Sequence, residues 1–251
     1  MPKTVNSTKE AQVNSLFKLG AHFGYDRARQ HPTAAPYIFG YKNRTAIIDL
    51  EKTVDLLDAA KAFAYEIGSK GKKILFVGSK NEAMVGVKKA AEEAGLPYVI
   101  NRWLGGTLTN IEQMRRRVAR MVDLKDKKAK GELSVYKKKE RGMIDLEISN
   151  LEKDFGTIGD LKDLPAALFV IDADKERIAV KEANSAKVPV ISLVNSDCDL
   201  RGVAYPIMGN DAAKESIAYF AMAIAEAYNA GKANPAKVEA PAVVKTETAV
   251  V

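Results

Sequence analysis

Apolar and polar positions along this chain follow two periods. Lys73–Gly78 (KILFVG), Ala167–Ile171 (ALFVI) and Pro189–Val194 (PVISLV) are short, nearly continuous apolar runs, and they predict strands buried on both faces. Tyr98–Ile100 predicts another, shorter strand. Between these runs the spacing changes to helical. Glu51 to Gly68 predicts one helix, and Ser79 with Glu82 forms a capping-box pattern opening a second that ends at Gly95. A third is expected to be capped near Asp174, and Asp211 to cap a last one running to about Ala230. Strands alternating with amphipathic helices predict an α/β body, a parallel sheet with helices on both faces. Ahead of that body, Lys9 to Leu19 predicts a short helix closed by Gly20, and residues 21–36 read as loop. Tyr37–Phe39 and Ala46–Leu50 read as a hairpin around Lys42–Arg44.

Residues 110–161 break the alternation. Thr109 and Glu112 make a second capping-box pattern, followed by Ile111, Met114, Val118 and Met121 at spacings of three and four. After the turn-like Gly131–Ser134, the series Ile144, Ile148, Leu151, Phe155 and Ile158 repeats that spacing. Two such seams joined by a turn predict an antiparallel helical hairpin of coiled-coil type, inserted between sheet strands. The expected organisation is a flexible tail at 1–8, an α/β body at 9–109 and 162–231, the projecting hairpin at 110–161 and a disordered tail at 232–251. That last segment is Ala, Val, Pro, Lys and Glu without periodicity.

Charge changes this picture more than composition does. The net charge is +7, and the segment from Asn101 to Arg141 holds 13 Lys and Arg against 5 Asp and Glu. The rest of the chain is close to neutral, with 26 against 27. A basic surplus gathered in one segment points to a polyanionic partner, because clustered cations displace the counterions condensed on phosphates. The single cysteine, Cys198, excludes an internal disulfide framework and fits a reducing compartment. The polar Met1 to Glu10 does not read as a secretory signal, and no run of about 18 apolar residues exists to span a bilayer. The cytoplasm is the expected location.

Candidate contacts fall in three places. Arg115, Arg116, Arg117 and Arg120 lie on the first helix of the hairpin, and Lys137, Lys138, Lys139 and Arg141 near the start of the second. Four arginines in six residues repel one another, and an anionic partner offsets that repulsion. The Gly20–Arg44 region interleaves rings and cations. There Phe23 and Phe39 read as core, while Arg27, Arg29, Lys42 and Arg44 read as contacts to folded RNA. In Asn101–Asn110 (NRWLGGTLTN) the glycines could present backbone N–H groups to a phosphate. A tight turn over a buried Trp103 reads better, which leaves Arg102 as the functional candidate.

Catalysis finds little footing. His22 and His31 have no cysteine nearby to complete a metal site, FVGSKNE lacks P-loop spacing, and no G-x-G-x-x-G follows a strand. Asp172 and Asp174 end a strand, as helix caps also do, and Asp197 and Asp199 have no identifiable partner base or nucleophile.

With these segments in view, the chain resembles the bacterial small-subunit ribosomal protein S-two family. The matching residues run GAHFG (Gly20–Gly24), PYIFG (Pro36–Gly40), IIDLEKT (Ile47–Thr53) and KILFVGSK (Lys73–Lys80). They continue with NRWLGGTLTN (Asn101–Asn110), LPAALFVIDADKERIAVKEAN (Leu164–Asn184) and GND (Gly209–Asp211). The resemblance departs at Tyr25, where the family has a second histidine, and at Asn195–Leu200 (NSDCDL). It implies a flavodoxin-like body with a protruding coiled-coil hairpin. It also implies a place in the small subunit against small-subunit rRNA and neighbouring ribosomal proteins, with the mRNA-capturing ribosomal protein S-one docking on the chain. The expected function is a structural, non-enzymatic constituent of the ribosome, with no cofactor, metal, membrane or small-molecule substrate. Two rival readings are a nucleotide- or phosphosugar-binding enzyme using the Gly78–Lys80 and Leu104–Thr109 loops, and a free cytoplasmic adaptor using the hairpin as an arm.

Overall fold

The structure is a computed structural model and describes residues 3–159 and 163–234. Five strands, β4 (Ile74–Val77), β5 (Tyr98–Val99), β6 (Ala167–Ile171), β7 (Val190–Val194) and β8 (Tyr205–Met208), form a parallel sheet in the order β5-β4-β6-β7-β8. Counted from β4, this is the 2-1-3-4-5 order of flavodoxin-like sheets. Side chains alternate between two cores, as the strand period of two requires. Ile74, Phe76, Phe169 and Ile191 face one side, where α2 (Leu50–Ser69), α3 (Asn81–Ala94) and α7 (Lys214–Ala233) cover them. Leu75, Val77, Leu168 and Val190 face the other, against α6 (Arg177–Ser185), Trp103 and Ile158. The Phe76 and Phe169 rings meet at 4.9 Å. Helices α2 and α7 cross closely at glycines: a Cβ at Gly68 would overlap the Tyr228 carbonyl, and one at Gly231 the Tyr65 carbonyl.

Strand β8 is not predicted by its sequence, YPIM, because Pro206 cannot donate to a ladder. It is tolerated here at the sheet edge, where β8 has a single neighbour, β7. The loop expected at 21–36 contains β1 (Phe23–Asp26) and two short 3-10 turns, at Arg27–Arg29 and Pro32–Tyr37. Strand β1 pairs with β3 (Thr45–Ile48), which also pairs with β2 (Ile38–Lys42), giving a small antiparallel sheet. The two residues between β2 and β3, Asn43 (φ 49°) and Arg44 (φ 68°), both occupy the left-handed region, as a tight primed hairpin turn demands.

At the N-terminus, α1 (Lys3–Lys18) begins six residues ahead of the expected start, so its backbone is helical through most of the segment read as a tail. Helix α7 likewise reaches Ala233, and the remainder of the expected C-terminal tail, from 235 on, lies outside the described residues. Within 110–161, α4 (Ile111–Ala129) and α5 (Lys138–Phe155) are joined by a 3-10 turn at Glu132–Val135, and residues 160–161 lie outside the described set. Met121, Leu151 and Phe155 form a small core of their own, flanked by Leu104, Met114, Val118 and Leu124.

Several expected caps are not caps. Lys80 precedes α3 and Asn110 precedes α4, each without a side-chain cap bond. Ser79 turns away to Glu176, which accepts from both its N–H (3.0 Å) and its hydroxyl. Helix α6 starts after Glu176 rather than Asp174, while Asp172 accepts from the Lys175 N–H at 3.1 Å. Asp211 precedes α7 by three residues and is fully buried in a polar cluster.

Candidate nucleic-acid interface

Three groups of exposed cations stand on this frame. The first sits at one end of the antiparallel sheet. Arg27 and Arg29 occupy the 3-10 turn after β1, Lys42 ends β2, and Arg44 is in the hairpin turn, all four exposed. The Arg27 N–H donates to the Arg44 carbonyl at 2.8 Å, which ties the two segments together. The Arg27 guanidinium lies 4.9 Å from the centre of the Tyr41 ring. The sequence grouping of these four residues is therefore also a grouping in space.

The rings beside them differ from the expectation of core. Phe23 is 47% exposed and Phe39 81% exposed, so neither is core. The apolar face of a sheet this small is supplied by Ala46 and Ile48, and the two phenylalanines are left outside it. His22 is sandwiched between Phe17 and Phe23, with centroids 4.3 and 4.0 Å away, and burial lowers its pKa.

The second group is the arginine run of α4. Here the expected mutual repulsion of the arginines is relieved at two of the four, because Glu147 on α5 and Asp163 supply carboxylates. Arg120 makes a two-armed bond to Glu147, Nε at 2.6 Å and Nη2 at 3.2 Å. Lys125 pairs with Glu152 and Lys128 with Asp145, while Arg115 reaches Asp163 at 3.6 Å. Arg116 and Arg117 are exposed, and neither has a carboxylate oxygen within 4.0 Å among the described residues. The third group, Lys137, Lys138, Lys139 and Arg141, is exposed at the start of α5, again with no such carboxylate among the described residues. At 1.5 Å rise per residue it lies roughly 20 Å along the helical pair from Arg116. The two groups are thus ends of one rod rather than one patch. Arg102 stands alone, exposed in the loop before α4.

That loop owes its shape to a single carboxylate. Glu182, on α6, accepts from the N–H groups of Gly106 (2.7 Å) and Leu108 (3.1 Å) and from the Trp103 indole (3.3 Å). Gly106, at φ 94°, allows the turn, and Trp103 is buried as expected. The Gly106, Thr107 and Leu108 N–H groups, which could have cradled a phosphate, are occupied.

A polar cluster that sequence reasoning missed fills the carboxyl end of the parallel sheet, where flavodoxin-like folds hold ligands. Lys80 Nζ donates to Asp211 (2.8 Å), Asp172 (3.1 Å) and the Tyr25 hydroxyl (3.1 Å). Asn195 donates to the other Asp211 oxygen at 2.8 Å. Burial works against the Lys80 charge, yet Asp211, Tyr25 and Asp172 together raise its pKa above that of an ordinary lysine. The departing loop Asn195–Leu200 acts as a clasp. Ser196 accepts from Tyr25 N–H through its hydroxyl and from His31 N–H through its carbonyl, both at 2.9 Å, and Leu200 N–H donates to Thr33 at 3.2 Å. The cluster fixes the antiparallel sheet, and with it Arg27 to Arg44, onto the body. These partners lie 16 to 171 residues apart in sequence, so no local pattern announces them.

Among the described residues no group of three or more His, Cys, Asp and Glu side chains could hold a metal, and no helix is long and apolar enough to cross a membrane.

Comparison with known proteins gives the chain a family. Residues 16–231 match the family described as "Ribosomal protein S2". The chain is 42% identical over 224 residues, 89% of its own length and 86% of the relative's, to the "Small ribosomal subunit protein uS2" of Roseiflexus sp. (strain RS-1). It is 43% identical over 217 residues, 86% of each chain, to the protein of the same name from Hahella chejuensis (strain KCTC 2396). The chain therefore belongs to the ribosomal protein S2 family, the proteins of the small ribosomal subunit that bear that name.

Proposed function

We propose that this chain is a structural, non-enzymatic constituent of the small ribosomal subunit that binds small-subunit rRNA through cations held at fixed spacing. The observation that carries this reading is a set of exposed cations along one helical pair, Arg116, Arg117, Lys137, Lys138, Lys139 and Arg141, that have no carboxylate oxygen within 4.0 Å among the described residues. Unpartnered surface cations repel, and phosphates offset that repulsion while releasing counterions. Helices α4 and α5 serve as a coiled-coil arm on the α/β body, with Asp145, Glu147 and Glu152 engaged in α4–α5 pairing and the remaining cations facing the nucleic acid. Arg27, Arg29, Lys42 and Arg44 form a second contact, and Arg102, exposed in the loop before α4, adds a further cation. Exposed rings beside the Arg27–Arg44 group suit unpaired bases of folded RNA. The chain works in the cytoplasm, within the ribosome, beside neighbouring small-subunit proteins, and serves as a platform for ribosomal protein S-one.

Small subunits reconstituted without this protein provide the test. Added wild-type chain co-sediments with them in high salt, and a variant with Arg115, Arg116, Arg117 and Arg120 all replaced by Ala co-sediments less while its body stays folded. Equal co-sedimentation of the two would remove the arm from the interface. Failure of the wild type to co-sediment would favour a free adaptor.

A further inference from the structure

Two of the segments that carry the family resemblance, Asn101–Asn110 and Leu164–Asn184, lie apart along the chain and meet at one point. There the Glu182 carboxylate gathers three donors from the loop that launches α4: the Gly106 and Leu108 N–H groups and the Trp103 indole, at 2.7, 3.1 and 3.3 Å. Glu182 belongs to α6, which packs on the parallel sheet through Ala179, Val180 and Ala183. The loop is therefore tied to the rigid body by polar bonds, as well as to the helical pair on which its Leu104 packs. We infer that Glu182 is the positioning residue that sets the direction of the α4–α5 arm relative to the α/β body, and so the distance between the arm cations and the Arg27–Arg44 group.

Three points support this assignment. A carboxylate accepting several N–H bonds fixes its donors more firmly than neutral acceptors do. Other described ties at the arm's base act elsewhere: Asn101 donates to the Lys153 carbonyl at 2.9 Å and Thr157 to the Tyr98 carbonyl, both at the far end of α5, while Arg115 pairs with Asp163 from within α4 itself. Glu182 is thus the side chain that holds the start of α4 through its own entry loop. Finally, leverage magnifies small changes. Helix α4 has 19 residues, about 28 Å, so a 10° swing at its base moves the tip by roughly 5 Å. That displacement exceeds the reach of an ionic hydrogen bond.

The inference rests on the RNA-binding reading of the arm, and its test separates the two. Val135, 88% exposed in the turn at the tip, and Val85, 75% exposed on α3, are replaced by Cys and spin-labelled in the whole chain, while the buried Cys198 stays unlabelled. Inter-spin distances are measured with Glu182, Glu182→Gln and Glu182→Ala, alongside thermal melting and affinity for small-subunit rRNA across a salt series. Glu182→Ala should broaden or shift the distance distribution by several ångströms and raise Kd about 10-fold, as expected if the binding orientation falls to a tenth of the population. Its salt slope should stay that of the wild type, because no phosphate contact is removed. Glu182→Gln, which keeps a carbonyl acceptor, should lie between. A lower melting temperature with an unchanged distance distribution in both variants would overturn the assignment, since Glu182 would then only stabilise the body. If Glu182→Ala fails to fold, the Gln variant decides: a narrow, unshifted distribution overturns the assignment and a broadened one supports it. Salt-independent binding by the unsubstituted chain would overturn the RNA reading instead, and the distances would still decide the role of Glu182.

Discussion

Arg120 on α4 and Glu147 on α5 form a two-armed ion pair across the helical pair, with bonds of 2.6 and 3.2 Å, and the Arg120 hydrogen bond lowers the Glu147 pKa. An arginine committed in this way has less to offer a phosphate than its neighbours Arg116 and Arg117. Replacing either neighbour with Ala should therefore weaken rRNA binding and reduce the magnitude of the log K against log salt slope by about 0.7–0.9 for each phosphate no longer neutralised. Arg120→Ala should leave that slope nearly unchanged and lower the melting temperature of the arm more than Arg116→Ala does. Equal slopes for all three variants would count against this division of labour.

The Lys80 cluster gives a sharper stability prediction. Lys80→Met leaves Asp172 and Asp211 facing each other, Asp211 fully buried, without their cation. Breaking a buried pair by removing one partner costs about 3–5 kcal/mol. Lys80→Met with Asp211→Leu should recover part of that stability, since the remaining charge is then less crowded. Urea unfolding measures both, and a single-variant destabilisation under about 1 kcal/mol would contradict the role given to Lys80.

His22 provides the pH dependence. Burial between two phenylalanine rings lowers its folded pKa below the ordinary 6.5, so the folded chain binds a proton there less readily than the unfolded one. Its contribution to stability is full above pH 6.5 and falls as the pH drops from 6.5 toward the lower folded value. His22→Gln should flatten the stability profile in that window. An NMR titration of His22 with a midpoint at or above 6.5 would refute the assignment.

Cys198 is fully buried, and burial pushes its thiol pKa well above the ordinary range. Native protein should resist a thiol reagent at about pH 8, and urea-unfolded protein should react at once. Rapid reaction of the folded chain would mean that the Asn195–Leu200 clasp opens in solution.

Much of the body is legible in the sequence because its signals are local. β4, β6 and β7 are continuous apolar runs, α2 and α3 end near the expected glycines, and two helices lie within 110–161. What local pattern cannot carry is the identity of distant partners. Ser79 looks like a cap until Glu176 appears beside it, Asp211 until Lys80 does, and the arginine run looks unpaired until α5 lies along it. Phe23 and Phe39 read as core because aromatic residues in short strands usually are, yet the small antiparallel sheet has an outward face that the described residues leave open. Residue type and clustering single out the candidate cations, and the structure keeps that grouping while sorting paired residues from unpaired ones.

The most direct test of the account is the affinity of the intact chain for small-subunit rRNA measured as a function of salt concentration. Neutralisation of several phosphates by the arm and the Arg27–Arg44 group predicts a linear fall of log K with log salt. The slope magnitude should approach that of several phosphates at roughly 0.7–0.9 each, and should shrink when Arg116, Arg117 and Lys137–Lys139 are replaced by Ala. A flat salt dependence, or one unmoved by those substitutions, would contradict it.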